Sequence, residues 1–183
     1  TLDAIARKYK VDISAITDVE WNNLKPPLYQ ITTGMKVIVK GGTKPYVPKV
    51  VTSYNGPVPT GARGSGLFRW PIIGTITQDY WSGHRAIDVS VVPNTPVYAA
   101  DAGYISFVGW TDVGYGYLVR IDHGNGFETW YAHNNSFAVV LGQQVDRGQV
   151  IAYSGSTGHS TGPHVHFEIR YLGALMNPRL YLP

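Results

Sequence analysis

His164-Val165-His166-Phe167-Glu168-Ile169-Arg170 alternates strictly between polar and apolar side chains. Alternation over seven residues is the pattern of a strand with one buried face. Val165, Phe167 and Ile169 then point into a core, while His164 and His166 share the opposite face. Two imidazoles on one face of a strand, inside an apolar pattern, are unusual and point to metal or proton chemistry. The stretch Ser154-Gly155-Ser156-Thr157-Gly158-His159-Ser160-Thr161-Gly162-Pro163 leads into it as a turn-rich loop.

The same signal recurs upstream. Pro96–Ala100, Tyr104–Val108, Leu118–Asp122 and Phe127–Tyr131 are rich in β-branched and aromatic residues and are punctuated by Gly, Asn and Pro. His123-Gly124-Asn125-Gly126 between two such runs is a hairpin signal. No helical period of useful length appears after residue 66. Residues 67–183 therefore read as one mainly β domain, an antiparallel β-sandwich or open barrel, long enough to bury its own core.

A second pair of ligand types lies in Gly83-His84-Arg85-Ala86-Ile87-Asp88-Val89. On a strand, His84, Ala86 and Asp88 would share a face, with Ala86 leaving room for an ion. Three N/O ligands with one open position is the zinc arrangement used for catalysis, and two histidines with one aspartate suit it. All six histidines lie in residues 67–183. His123 reads as a turn residue bonding its own backbone, and His159 as a loop residue at a cleft rim. Glu168 competes with the histidines as a base, although a salt bridge is the commoner fate of such a residue. Trp81, Trp110 and Trp130 read as core or cleft wall.

Residues 1–40 have a different texture. Leu2, Ile5, Ala6 and Tyr9 mark one face of a helix, and Asp12 is placed to cap a second helix through Ile13, Ile16 and Val19. Pro26-Pro27 stops it, Gly34 turns the chain, and Met35–Val39 reads as a strand. Residues 41–66 hold six Gly and four Pro without any period and read as a linker. Thr1-Leu2-Asp3 opens mid-pattern with no signal peptide, as in a mature or trimmed chain.

Composition excludes several classes. Hydrophobic residues at 44% and charged residues at 15% rule out a disordered chain. Cysteine is absent, so disulfide frameworks, thiol catalysis and Cys-based zinc sites are excluded. Apolar runs are too short for a bilayer-spanning helix. Net charge is +3, but residues 67–183 carry six Arg against eight Asp/Glu, so a basic nucleic-acid surface is not expected there.

Two resemblances follow from these residues. Thr1-Leu2, Ile5-Ala6, Tyr9, Val11, Ile16, Trp21-Asn22-Asn23-Leu24 and Gly34–Val39 resemble a LysM module without its first strand. That implies a small α+β glycan-binding module over residues 1–40. From about Phe68 to Pro183 the chain closely resembles the lysostaphin/LytM-type zinc metalloendopeptidases of bacterial cell walls. The blocks that carry this are Phe68-Arg69-Trp70-Pro71, Gly83–Val89, Pro93–Ala100, Gly114–Val119, Ile121–Gly126, Trp130-Tyr131-Ala132-His133, Val145–Ala152 and Ser154–Glu168. The resemblance implies a duplicated hybrid motif fold. It implies Zn2+ held by His84, Asp88 and His166, with His133 and His164 as unligated catalytic histidines. Tyr80 is the candidate for a cleft tyrosine. Arg85-Ala86 departs from the small residue and glycine often found there.

The expected function is hydrolysis of peptide crosslinks in bacterial peptidoglycan by a secreted or envelope-located, monomeric zinc endopeptidase, with glycan bound at the front module. The alternative is a catalytically silent envelope regulator of other wall hydrolases, which the full set of ligand types argues against. A lipoyl or biotinyl carrier is excluded, because residues 67–183 contain no lysine to modify.

Overall fold

Leu2, Ile5, Ala6 and Tyr9 line one face of helix α1 (Leu2–Tyr9), as their spacing requires. The Thr1 hydroxyl caps its first turn by accepting from Ala4 N, and Lys10 ends it at φ 54. Val11 N then donates back to Ala6 O, the six-to-one bond of a Schellman closure. The computed structural model describes residues 1–22, 24, 29–32, 35, 37–42, 53–61 and 63–183. It divides into two units, Thr1–Pro48 and Lys49–Pro183.

In the first unit, helix α2 is shorter than expected: Ser14–Thr17, followed by a 3-10 turn at Glu20–Asn22. Asp12 does not cap it with its side chain; Ile13 occupies the cap position in helical conformation, and Asp12 contributes only its carbonyl, to Ala15 N. Ala6, Ile16 and Leu24 form a small core with Leu2, Ile5, Val11, Ile31, Val37 and Val39. The expected strand Met35–Val39 is not formed at Met35 or Val37–Val39. Val37 and Val39 pack on the small core while Ile38 is exposed, but a strand needs a ladder partner. The buried Asn22 carboxamide stands in for one, donating to Ile38 O (2.7 Å) and accepting from Ile38 N (2.6 Å). Asn23, Pro26-Pro27, Gly34, Lys36 and residues 43–52 of the expected linker lie outside the described residues.

Among its described residues the second unit has ten strands: β1 (Thr75–Gln78), β2 (Ile87–Ser90), β3 (Pro96–Tyr98), β4 (Gly103–Thr111), β5 (Gly116–Asp122), β6 (Phe127–Phe137), β7 (Gln144–Val145), β8 (Val150–Ser154), β9 (His164–Tyr171) and β10 (Ala174–Met176). Every pairing is antiparallel. The sheet is open, ordered β1-β2-β9-β6-β5-β4-β7, with β10 on β9 and β3 joined through β8 to β6. This is the mainly β, open architecture read from the sequence. Two described stretches before the first strand are tied to it: Tyr54 N donates to Ser106 O and Gly64 N to His123 O.

Val165, Phe167 and Ile169 are fully buried in the main core with Ile87, Val89, Val119, Ile121 and Tyr131. Each such side chain contributes about 1.5–3 kcal/mol relative to exposure. A one-residue slip of β9 would expose all three and bury the histidines, so hydrophobic burial sets the register that the polar face depends on.

Strand β6 changes partners along its length. Phe127–Ala132 pairs with β9, whereas Asn134–Phe137 pairs with β8. His133 sits between the two segments, opposite a break in the β5 register, at φ 60. A β-bulge with one left-handed residue bends the strand here and re-aims the side chain. His133 lies within the strand, at the bend, and β6 runs six residues beyond the Phe127–Tyr131 run read from the sequence.

Candidate metal centre

Antiparallel pairing of β2 with β9 sets Asp88 directly opposite His166 and Ser90 opposite His164. Asp88 Oδ1 lies 2.8 Å from His166 Nδ1. His84 arrives differently from the sequence expectation. Strand β2 begins only at Ile87, so His84 does not share a strand face with Asp88. It closes a tight turn instead, with Trp81 and His84 exchanging both main-chain hydrogen bonds across Ser82-Gly83. The turn points His84 Nε2 at Asp88 Oδ2 (3.2 Å) and His166 Nδ1 (3.4 Å). His84 Nδ1 faces the Asp79 carbonyl at 3.1 Å. A carbonyl only accepts, so Nδ1 carries the proton and Nε2 presents its lone pair.

The two imidazole nitrogens lie 3.4 Å apart, and each meets a different oxygen of the Asp88 carboxylate, at 2.8 Å from His166 and 3.2 Å from His84. Zinc–ligand distances of about 2.0–2.2 Å in a tetrahedron place ligand atoms about 3.3–3.5 Å apart. The donor set suits zinc in its chemistry, and the two contacts of His84 are near that spacing, whereas the 2.8 Å Asp88–His166 contact is a hydrogen bond that would lengthen around an ion. It is the one cluster of metal-ligating side chains that stands out among the described residues.

Charge in the metal-free site is consistent with this. Burial works against a charged His166, but hydrogen bonds to Asp88 and Glu168 outweigh it and raise its pKa to about 9. Burial likewise opposes the Asp88 carboxylate, yet the His166 hydrogen bond and the neighbouring imidazoles hold it below its ordinary value. The sign of the pH effect follows. Because the folded pKa of His166 exceeds 6.5, its contribution to stability is complete below pH 6.5 and is lost as pH rises through about 9. The melting temperature of chelator-treated protein should fall over that window, and His166→Gln should remove that part of the slope. Identical profiles for the two proteins would contradict this.

His133 and His164 stand beside His84, Asp88 and His166. Their ring centroids are 4.7 Å apart, and His133 lies 5.8 Å from His166. His133 Nδ1 faces the Thr157 carbonyl at 2.7 Å, and His164 Nδ1 faces the Gly162 carbonyl at 2.8 Å. Both Nδ1 atoms therefore carry protons, and both Nε2 atoms are left with lone pairs. Burial, opposed by the Thr157 bond, lowers the His133 pKa to about 4, so it is neutral near pH 7. The loop that holds it is locked by two glycines. Gly116 (φ 63) and Gly158 (φ 74) approach so closely that a Cβ on either would lie within 2.5 Å of the other's backbone.

The cleft over this centre has a volume of about 590 Å³. Gln78, Val113, Tyr115, His159 and Thr161 line it together with His84, Asp88, His133, His164 and His166. His159 is an exposed rim residue whose N–H holds Gly114 O. Tyr80 is not among the lining residues; Gln78 and Tyr115 are, and sequence reading assigned neither. The Gly-Tyr-Gly triplet around Tyr115 was the available signal. His123 is not a self-bonded turn residue. Its ring is fully buried under Phe68, bonding Ala102 O and Thr129 Oγ1, because the hairpin folds it inward.

Residues 82–178 match peptidase family M23. The chain is 35% identical to the uncharacterized lipoprotein YgeR of Escherichia coli over 178 residues, 88% of this chain and 70% of that protein. It is 47% identical over 98 residues to the DD-carboxypeptidase/endopeptidase Mpg of Neisseria meningitidis, and 37% identical over 119 residues to the murein hydrolase activator NlpD of Salmonella typhimurium. Those matches span 54% and 63% of this chain but only 22% and 31% of the two relatives. Among solved structures, the catalytic domain of the antimicrobial peptidase lysostaphin from Staphylococcus simulans superposes with a TM-score of 0.53 at 31% identity, over 59% of this chain and 89% of that one. A zinc-containing peptidase from Vibrio cholerae superposes with a TM-score of 0.57 at 29% identity, over 61% and 39%.

Proposed function

The chain belongs to peptidase family M23, and from that premise we propose that it is a zinc-dependent endopeptidase that hydrolyses peptide crosslinks of peptidoglycan in the bacterial cell envelope. One observation carries the reading. The side chains of His84, Asp88 and His166 converge with one ligand atom each, all within 4.8 Å of one another, and two further imidazoles line the same cleft. Zinc, when bound, supplies positive charge that polarises a peptide carbonyl and acidifies water.

The chain's own groups account for the remaining steps. His84 Nε2, Asp88 Oδ1 or Oδ2 and His166 Nδ1 are the holding atoms. His133 enters neutral, and the Nδ1 atoms of His133 and His164 are committed to main-chain carbonyls. One Nε2 takes the proton from the attacking water. The resulting Nε2–H then stabilises the tetrahedral oxyanion and passes its proton to the leaving amine. Residues 1–40 are proposed to hold glycan, which keeps the catalytic unit near its polymer.

The relative NlpD is named a hydrolase activator, so a non-catalytic envelope regulator is the competing reading. The complete ligand set and both further imidazoles favour the enzyme. The two are separated by digesting purified peptidoglycan of defined crosslinks with zinc-loaded protein and identifying new ends by mass spectrometry. New amino termini within the crosslink, absent after chelation, are expected. No release from any wall type by zinc-loaded protein would leave the regulator.

A further inference from the structure

Glu168 is 3% exposed and lies two residues beyond His166 on the same face of β9. A carboxylate so deeply buried costs several kcal/mol unless its oxygens are fully engaged. They are. Oε1 accepts from Tyr115 OH (2.7 Å) and faces His166 Nε2 (3.2 Å), and Oε2 accepts from Arg170 Nε (2.8 Å). Arg170 is in turn fixed in place. Its guanidinium lies 3.5 Å from the centroid of the Trp130 ring, against which Arg120 also packs at 4.4 Å, and Trp130 Nε1 donates to Glu128 Oε2. Strand register produces this line, since Trp130 pairs with Glu168 and Glu128 with Arg170.

An ordinary salt bridge to Arg170 would use one edge of the carboxylate and leave the other to water. Here the second edge is closed by Tyr115 and the far side of the His166 ring. We infer that Glu168 is a positioning residue for the metal centre: it holds the Nε2–H of His166, and so fixes the tautomer and the ring plane that turn Nδ1 towards His84 Nε2 and Asp88. Tyr115, on the β5 side of the cleft, holds Glu168 in that pose. A carboxylate cannot donate, so the Nε2 atom facing it carries the proton and leaves Nδ1 as the ligand atom once metal displaces the other proton. The inference rests on His166 being a zinc ligand, as proposed above.

The test is zinc affinity, measured on the full chain by competition with a chromophoric chelator, together with the visible spectrum of the Co2+-substituted protein. Glu168→Gln keeps the shape and removes the charge; it should weaken zinc binding by about 10–100-fold and shift the cobalt bands. Tyr115→Phe keeps the ring against Trp130 and should weaken binding by a smaller factor, with a band shift in the same direction. If Glu168→Gln loses the native near-ultraviolet circular dichroism, Tyr115→Phe decides alone. Wild-type affinity and an unshifted spectrum in whichever variant folds would overturn the role of Glu168 and leave the zinc site standing. A wild-type protein that takes up no zinc in the same titration would overturn the zinc reading itself.

Discussion

Alanine at His133 or His164 is expected to lower turnover by on the order of a hundredfold or more while zinc stays bound, since a positioned base supplies about 10²–10⁴-fold in rate. Neither ring takes part in the 2.8–3.4 Å contacts among His84, Asp88 and His166. Each has its Nδ1 proton on a main-chain carbonyl and its Nε2 towards the cleft. His164 comes nearest to the centre, with Nε2 3.9 Å from Asp88 Oδ1, which is too long for a hydrogen bond. The His133 variants carry a backbone effect as well. At φ 60, alanine is less well tolerated than asparagine, so His133→Asn separates lost chemistry from strain at the bulge. Zinc content and rate should be measured on the same samples. Loss of zinc from His164→Ala with retention in His166→Ala would mean that ligand and catalytic residue have been exchanged.

The second large effect is expected at the proposed ligands themselves. His84→Ala and Asp88→Ala should leave protein with little bound zinc and crosslink cleavage near background. Asp88 is the hub: Oδ1 meets His166, and Oδ2 meets His84. Removing it takes away one proposed ligand and the anion that both imidazoles face. His84→Ala should behave similarly for a different reason. That ring is placed by the Trp81–His84 turn and the Asp79 carbonyl, so its loss removes a nitrogen aimed at both Asp88 and His166. Full zinc occupancy in both variants would rule this site out.

The sequence carried much of this because alternation is a local property with a global consequence. His164–Arg170 has one register that buries Val165, Phe167 and Ile169, and that register puts both histidines on the other face whatever the rest of the chain does. The absence of cysteine and of helical periods after residue 66 likewise bounded the chemistry and the fold class. The same logic failed at His84, where spacing of four was read as strand although residues 82–83 make a turn. Both geometries bring His84 to Asp88, so the residues were legible and the route was not. It failed again at Met35–Val39, because strand propensity cannot say whether a neighbour exists to pair with.

What only the tertiary structure decided are relations between segments distant in the chain. The left-handed bulge at His133 arises where β6 leaves β9 for β8, and no local signal in Tyr131-Ala132-His133-Asn134 announces a change of partner. The proton positions on His84, His133 and His164 are set by carbonyls of Asp79, Thr157 and Gly162, which have no side-chain identity to read. Glu168 was ambiguous between base and salt bridge until Tyr115, 53 positions away, was seen to share its oxygen with His166. The sequence by itself determined which side chains share a face, because burial enforces period two. The chemistry of each atom on that face was decided by the fold, because hydrogen-bond partners are chosen by proximity in space.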